Sequence, residues 1–321
     1  MKRIPILLLA ASVLAASLTA CGSPAASSSS AAPSSASSSA AQAYTFTDDL
    51  GRTVTVEQPK RVAALIGSFA DVWCLAGGQD TLVAAAHDTW TSFDLGLSDT
   101  VADLGAVKEP NLEVLLAAQP DFILASCNTT ADLELESTFE SAGIPTAYFD
   151  IQSFDDYLNM LKICTDLTGC PENYETYGLQ VQQQVEAAKA RQDGSAPTVL
   201  TIRATGSSCK VKGSQDFLLG EMISDLGCVN VADSNTSLLE ELSLEAILAA
   251  DPDYIFVVLQ GSDATDAQET LEKTLLSNPA WGSLRAVQEG RFHTLEHSLY
   301  NLKPNARWGE AYEKLADILY P

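Results

Sequence analysis

A chain of 321 residues with 18 Lys and Arg against 42 Asp and Glu has a formal charge of −24. That balance argues against a protein that grips nucleic acid or an anionic membrane over a broad face. Hydrophobic residues at 46% and charged residues at 19% supply enough apolar surface for a globular core and exclude wholesale disorder, and the length points to two domains.

Lys2 and Arg3 precede an apolar run rich in small residues, Ile4 to Leu18. It is short for a membrane span and suits the hydrophobic region of an export signal. Leu18-Thr19-Ala20-Cys21 closes it and resembles the lipobox of bacterial lipoproteins, in which the Cys is acylated and becomes the new N-terminus. Residues 1–20 are therefore expected to be a lipoprotein signal peptide and Cys21 the lipidation site. More than one acyl chain anchors firmly, since each buried CH₂ contributes about 0.8 kcal/mol. Ser23 to Ser39 is almost only Ser, Ala and Pro, so 21–43 reads as a flexible tether. No later segment reaches 18 unbroken apolar residues, which leaves the lipid as the expected membrane attachment.

From Tyr44 onward short β-rich runs alternate with amphipathic segments. Strands are expected over Arg61 to Ile66, Thr81 to Ala86, Asp121 to Ala125 and Thr146 to Phe149. Helices are expected over Phe69 to Ala76, Asn111 to Ala118 and Ala131 to Ala142, the last ended by Gly143 with Pro145 beyond it. This alternation predicts an α/β lobe with a mainly parallel sheet, 44–168. Glu172 to Gln192 is rich in Gln, Glu, Ala and Lys and has no internal Pro; it predicts one connecting helix within 169–195, about 30 Å long. A second lobe, 196–321, repeats the pattern. Strands are expected at Thr198 to Arg203, Tyr254 to Leu259 and Arg291 to Leu295, with helices at Asp216 to Leu226 and Pro304 to Leu319. Trp308, Ala311, Tyr312, Leu315, Ile318 and Leu319 make one apolar stripe on the closing helix, which reads Trp308 as core.

The halves echo each other. NLEVLLAAQPDFILAS (111–126) and SLEAILAADPDYIFVV (243–258) align without a gap and agree at 8 of 16 positions. Both read as helix, Pro-Asp turn and buried strand, which implies two similarly built Rossmann-like lobes. Besides Cys21, six cysteines remain, and their spacings fit no CxxC zinc or redox motif. Bridges between Cys164 and Cys170 and between Cys209 and Cys228, or buried free thiols, are both open.

A tethered lipoprotein with two similar α/β lobes and one connecting helix resembles the solute-binding proteins of ABC importers, above all the branch that captures iron–siderophore complexes, haem and vitamin B12. The residues that carry the resemblance are FTDDLGRTVTVEQPKRVAAL (46–65), the paired NLEVLLAAQPDFIL and SLEAILAADPDYIF segments, and LLSNPAWGSLRAVQEGRFHTL (275–295). The resemblance implies a non-catalytic monomer that encloses a ferric siderophore or related iron chelate between its lobes. Its partners would be a permease dimer and ATPase subunits. It also implies that one Glu from each lobe docks into Arg pockets on the permease; the matching positions are Glu113 and Glu245. The residues agree with exposure, because Leu112, Leu115 and Leu116 form the i, i+3, i+4 stripe and Glu113 lies off it.

Open α/β sheets leave a crevice at the carboxyl ends of their strands. First-lobe candidates there are Ser68, Phe69, His87, Trp90 and Asn128, with Asp71 and Asp88 nearby. The second lobe offers Arg203, Lys212, Gln260, His297 and Tyr300, with Lys303 and Arg307 flanking the last helix. Arg203, Lys210, Lys212, Lys303 and Arg307 concentrate scarce positive charge in predicted second-lobe loops, which suggests an anionic ligand. Tyr300 or His297 would suit an axial position on haem, and Trp90 with Phe69 an aromatic wall for a corrinoid. A receptor for bare Zn²⁺ or Mn²⁺ is a weaker alternative, since only His87, His293 and His297 are available. A secreted hydrolase is weaker still, for the chain has no GxSxG, Walker A or HExxH motif. No resident cofactor or metal is expected.

Overall fold

The computed structural model describes residues 43–321 except 216, 241, 262 and 263. The leader, most of the tether and Cys21 lie outside the described residues. Two five-stranded sheets organise the rest. A hairpin of β1 (Tyr44–Thr47) and β2 (Thr53–Val56) leads into the first sheet: β3 (Val62–Ala64), β4 (Leu82–Ala85), β5 (Ala102–Asp103), β6 (Phe122–Ser126) and β7 (Thr146–Phe149). Its order is β5-β4-β3-β6-β7 and every pairing is parallel. The second comprises β8 (Thr198–Thr205), β9 (Cys209–Lys212), β10 (Val229–Asn230), β11 (Tyr254–Gln260) and β12 (Phe292–Leu295). It runs β10-β8-β11-β12 in parallel, with β9 folded back antiparallel on β8. Strand order reverses between β3 and β6 in one sheet and between β8 and β11 in the other, and such switch points open crevices beyond the strand ends.

The duplicated segments act alike. Asn111 caps the helix Leu112–Ala117 and Ser243 caps Leu244–Ala250, each accepting an amide of the first turn. Gln119 and Asp251 then turn left-handed, at φ 47° and 37°, ahead of a proline that disfavours continued helix. Asp121 and Asp253 come next. Asp121 accepts the Lys60 and Arg61 amides at 3.0 and 2.9 Å, and Asp253 accepts the Thr198 amide at 2.9 Å. Each repeat thereby pins its own turn to the opening of the first strand of its sheet.

Side chains alternate across the sheets as the two-residue period requires. Ala63, Ile123 and Tyr148 face a core confined to the first lobe, and Leu200, Ile202, Ile255 and Val257 one confined to the second. Val62, Phe122, Val199 and Phe256 face a third core shared by both lobes. Into it pack the helix Phe154–Thr168, the connector residues Val181, Val185 and Ala188, and the closing helix Trp308–Leu319. Trp308 lies there in edge contact with Phe154, at 5.8 Å.

Several elements differ from expectation. Helix Phe154–Thr168 is unannounced by the strand–helix alternation; a Ser153–Asp156 capping box opens it and left-handed Gly169 ends it. The connector is Pro171–Tyr174, a π-helical turn at Glu175–Leu179 and Gln180–Lys189, not one regular helix over 172–192. Gly178 sits in that turn, where a Cβ would come within 3.1 Å of the Tyr174 ring and 3.3 Å of Leu158. The segment expected as one helix over 131–142 breaks at Leu135 into Thr130–Glu134 and Glu136–Ala142. The closing helix begins at Trp308, after a 3₁₀ turn Asn305–Arg307, because Asn305 adopts φ 50° to place its amide elsewhere. All six described cysteines are free thiols.

Candidate functional site

The crevice is built from the residues just past each strand. On the second lobe, β8 ends in Arg203-Ala204-Thr205 and turns through Gly206-Ser207-Ser208 into β9. The register pairs Arg203 with Lys210 and Thr201 with Lys212. Cys209 and Val211 point into the core while Lys210 and Lys212 alternate outward. Across the switch point β11 ends at Gln260, and Gly261 takes φ 138°, a backbone region that favours glycine.

Arg203, Thr205, Lys210, Gln260, Gly261 and the Gly206-Ser207-Ser208 turn, joined by Lys108 from the first-lobe loop after β5, line a cavity of about 600 Å³. A neighbouring cavity of about 1030 Å³ shares Arg203 and Lys210. It extends to Lys212, Ser214, Gln215, Glu221 and Asp233, with Gln152 from the first lobe. Among the described residues, no carboxylate lies within ion-pairing distance of Lys108, Arg203 or Lys210. Lys212 lies with its ammonium 5.9 Å from the centre of the Phe217 ring. Asp233 is engaged by the Ser214 amide at 2.8 Å. Glu221 is held above the usual carboxylate range by burial and by Asp225, Asp156 and Asp155.

The expected ligand residues divide. Arg203, Lys212 and Gln260 meet in this cleft. Lys303 and Arg307 instead border a separate cavity of about 320 Å³ with Asp71, Leu75 and Asp94 of the first lobe. Arg307 is occupied: its guanidinium bonds Glu310 at 2.7 Å and Glu296 at 3.1 Å. Those partners, Glu310 foremost, raise its pKa further. The charge there is neutralised within the protein, which corrects its assignment as an anion contact. Lys303 is half-buried, and desolvation lowers its pKa although Asp150 and Asp156 oppose this.

Two further assignments are corrected by packing. Phe69 is fully buried against Phe149, at 6.1 Å edge to face. Tyr300 is buried and donates its hydroxyl to the Ala311 carbonyl at 2.9 Å. Neither ring reaches the crevice, so Phe69 cannot wall a corrinoid and Tyr300 cannot ligate haem iron. Ser68 is buried too; its carbonyl accepts Asn305 Nδ2 at 2.9 Å, and the same amide donates to Asp71 Oδ2 at 2.7 Å. His297 is half-buried, its Nδ1 2.8 Å from the Leu259 carbonyl.

His87, Trp90 and Asn128 are exposed on the first lobe. His87 Nδ1 is 2.7 Å from Asp103 Oδ2. Burial works against ionising Asp103, but hydrogen bonds from the Gly105 amide and His87 prevail and lower its pKa. Asn128 donates to Asp150. Asp88 accepts the Gly67 amide at 2.9 Å and so fastens the first helix.

Lys108, Gln152, Ser207 and Ser208 were not foreseen in the cleft, and Lys210 only as part of a charge cluster. The buried–exposed alternation of Cys209 to Lys212 is the signal that would have located β9. Lys108 carries no comparable local pattern.

Glu113 and Glu245 are exposed in the first turns of the two capped helices, at the same place in each repeat. Among the described residues no group of three His, Cys, Asp or Glu side chains is arranged to hold a metal, and no helix is long and apolar enough to cross a membrane.

The family profile described as periplasmic binding protein matches residues 62–299. The iron-uptake system-binding protein of Bacillus subtilis is 26% identical over 222 residues, covering 68% of this chain and 67% of that one. A putative ABC transporter substrate-binding lipoprotein of the same organism, YhfQ, is 24% identical over 271 residues, covering 80% and 82%. Among solved structures, Staphylococcus aureus SirA complexed with staphyloferrin B superposes with a TM-score of 0.64 at 22% identity, covering 86% of this chain and 97% of that one.

Proposed function

The chain belongs to the periplasmic binding protein family, and from that premise we propose that it captures a ferric siderophore or related iron chelate between its lobes and delivers it to an ABC permease. It is a solute-binding protein and not an enzyme. The observation that carries the reading is the cleft at the carboxyl ends of β8 and β11, lined by the second lobe with Lys108 and Gln152 added from the first, and large enough for a chelate. The relative named for iron uptake supports iron as the cargo.

In this reading Cys21 bears the lipid and residues 21–43 let the receptor range over the outer face of the membrane. Glu113 and Glu245, one per lobe on matching helix turns, are the carboxylates that meet Arg pockets on the permease; such pairs are strong when bidentate. The receptor acts as a monomer, and the permease dimer with its ATPase subunits supplies the transport machinery.

A thermal-shift screen across ferric siderophores, haem and cobalamins tests the reading. A ligand at a hundred times its Kd adds about 2.7 kcal/mol of stability. An iron chelate should raise the melting temperature by several degrees. A shift with haem or cobalamin alone would replace the cargo, and no shift with any of them would remove the proposal.

A further inference from the structure

We infer that the cleft is built for an iron chelate bearing net negative charge on carboxylate-type groups, rather than for an uncharged chelate, an aromatic catecholate or a flat macrocycle. This rests on the reading of the cleft as a chelate site and names the class of its ligand.

Charge distribution is the first ground. In a chain of charge −24 many basic side chains find an acid, as Arg52, Lys162, Lys189, Arg191, Arg285 and Arg307 do in their ion pairs; Lys60, Arg61 and Lys273 make none among the described residues, but they do not border a common cavity. Among the described residues Lys108, Arg203 and Lys210 form no ion pair, and they border one cavity from two segments, the β8–β9 hairpin that pairs Arg203 with Lys210 and the first-lobe loop after β5. No carboxylate lies among the described residues of that lining. Cations brought together without counter-ions repel one another, and an anion placed among them relieves that repulsion. Arg203 offers the planar fork that pairs bidentately with a carboxylate, while the two lysines offer point charges.

The rest of the lining supplies the second ground. Beside the cations stand Thr205, Ser207, Ser208, Gln260 and two glycines. Among the described residues neither cavity has an aromatic side chain in its lining, and Val211 and Leu239 are the only large apolar ones. A macrocycle would leave its faces against polar groups and would find no His, Tyr or Met there as an axial donor. Catechol rings would likewise lose the apolar contact that normally rewards their burial. An uncharged chelate would oblige three cations to shed water without compensation. Glu221 and Asp233 sit in the adjoining cavity, so the anion is centred on Lys108, Arg203 and Lys210.

The test is a fluorescence titration of the purified chain with four probes: iron(III) citrate in excess citrate, iron(III) tris-catecholate, an uncharged ferric trihydroxamate, and haem. Iron(III) citrate should bind at least tenfold tighter than the others and weaken severalfold between about 50 and 300 mM NaCl. Arg203→Gln should cost at least tenfold, and Lys108→Gln with Lys210→Gln a comparable loss. Should a variant fail to fold, the salt dependence of the unaltered chain still decides. Equal or tighter binding of the trihydroxamate, the aromatic catecholate or haem, or salt-independent binding of citrate, would overturn the class while leaving a receptor in place. Failure of every iron probe would overturn both the class and the receptor reading.

Discussion

Replacing Asp132 by Asn tests how the first lobe holds the end of β6, next to its switch point. The Asp132 carboxyl is fully buried. Its Oδ2 accepts the Ser126 amide at 2.8 Å, while Oδ1 meets no donor among the described residues. Desolvation outweighs that one hydrogen bond and pushes the pKa up from 3.8 to about 7. A carboxyl whose folded pKa is raised binds its proton more tightly in the folded state. Its stabilising share is complete below the unfolded value of 3.8 and is lost as the pH climbs through about 7. At 1.36 kcal/mol per unit the loss is at most about 4 kcal/mol. Lowered carboxylates such as Glu310, at about 2, act in the opposite sense, so the comparison must be a difference between proteins. Urea unfolding of both forms, followed by tryptophan fluorescence at pH 4, 6 and 8, supplies it. The fall in stability from pH 4 to pH 8 should be steeper in the unaltered protein by about 2–4 kcal/mol. Identical pH profiles would show that Asp132 stays ionised in the fold and that the burial argument is wrong.

Glu113→Ala with Glu245→Ala should leave chelate affinity within about threefold while abolishing uptake by whole cells, because both carboxylates lie on exposed helix turns; lost binding in titration would refute the docking role. Cys21→Ser should move the protein from the membrane fraction to the medium or periplasm, and continued sedimentation with membranes would reveal another anchor. Arg307→Ala should cost at most about 1 kcal/mol in a melt, since its partners are exposed, and leave affinity unchanged. A tenfold loss in titration would return that residue to the ligand site.

Much of the architecture was legible because it depends on local rules. Thr146 to Phe149 is a strand with the bounds expected. The duplicated segment announced two helix–turn–strand units whose caps and Pro-Asp turns do the same work. Burial of single residues was less legible. Phe69 and Tyr300 lie just beyond strands, as cleft residues do, but the way their helices lie against Phe149 and Ala311 turns both rings inward. That orientation comes from tertiary packing and has no local signature. Phe154–Thr168 did have one, a Ser-x-x-Asp box before a 3.6-residue apolar period. In the cleft, Arg203 and Lys212 were foreseen from the strand ends. Lys108 was not, because a loop lysine is indistinguishable from any solvated one until the fold brings another lobe opposite it.

The apolar interior common to both halves, together with the Asn305 amide clasping the Ser68 backbone and Asp71, bears on how a transporter could tell a full carrier from an empty one. Halves fastened through a continuous interior keep nearly the same silhouette in either condition. Gross outline then conveys little to the channel. On the docking proposed above, recognition of a loaded carrier would draw on the exposed face of the passenger itself or on how long each visit lasts, and vacant carriers would compete for the permease in proportion to their abundance.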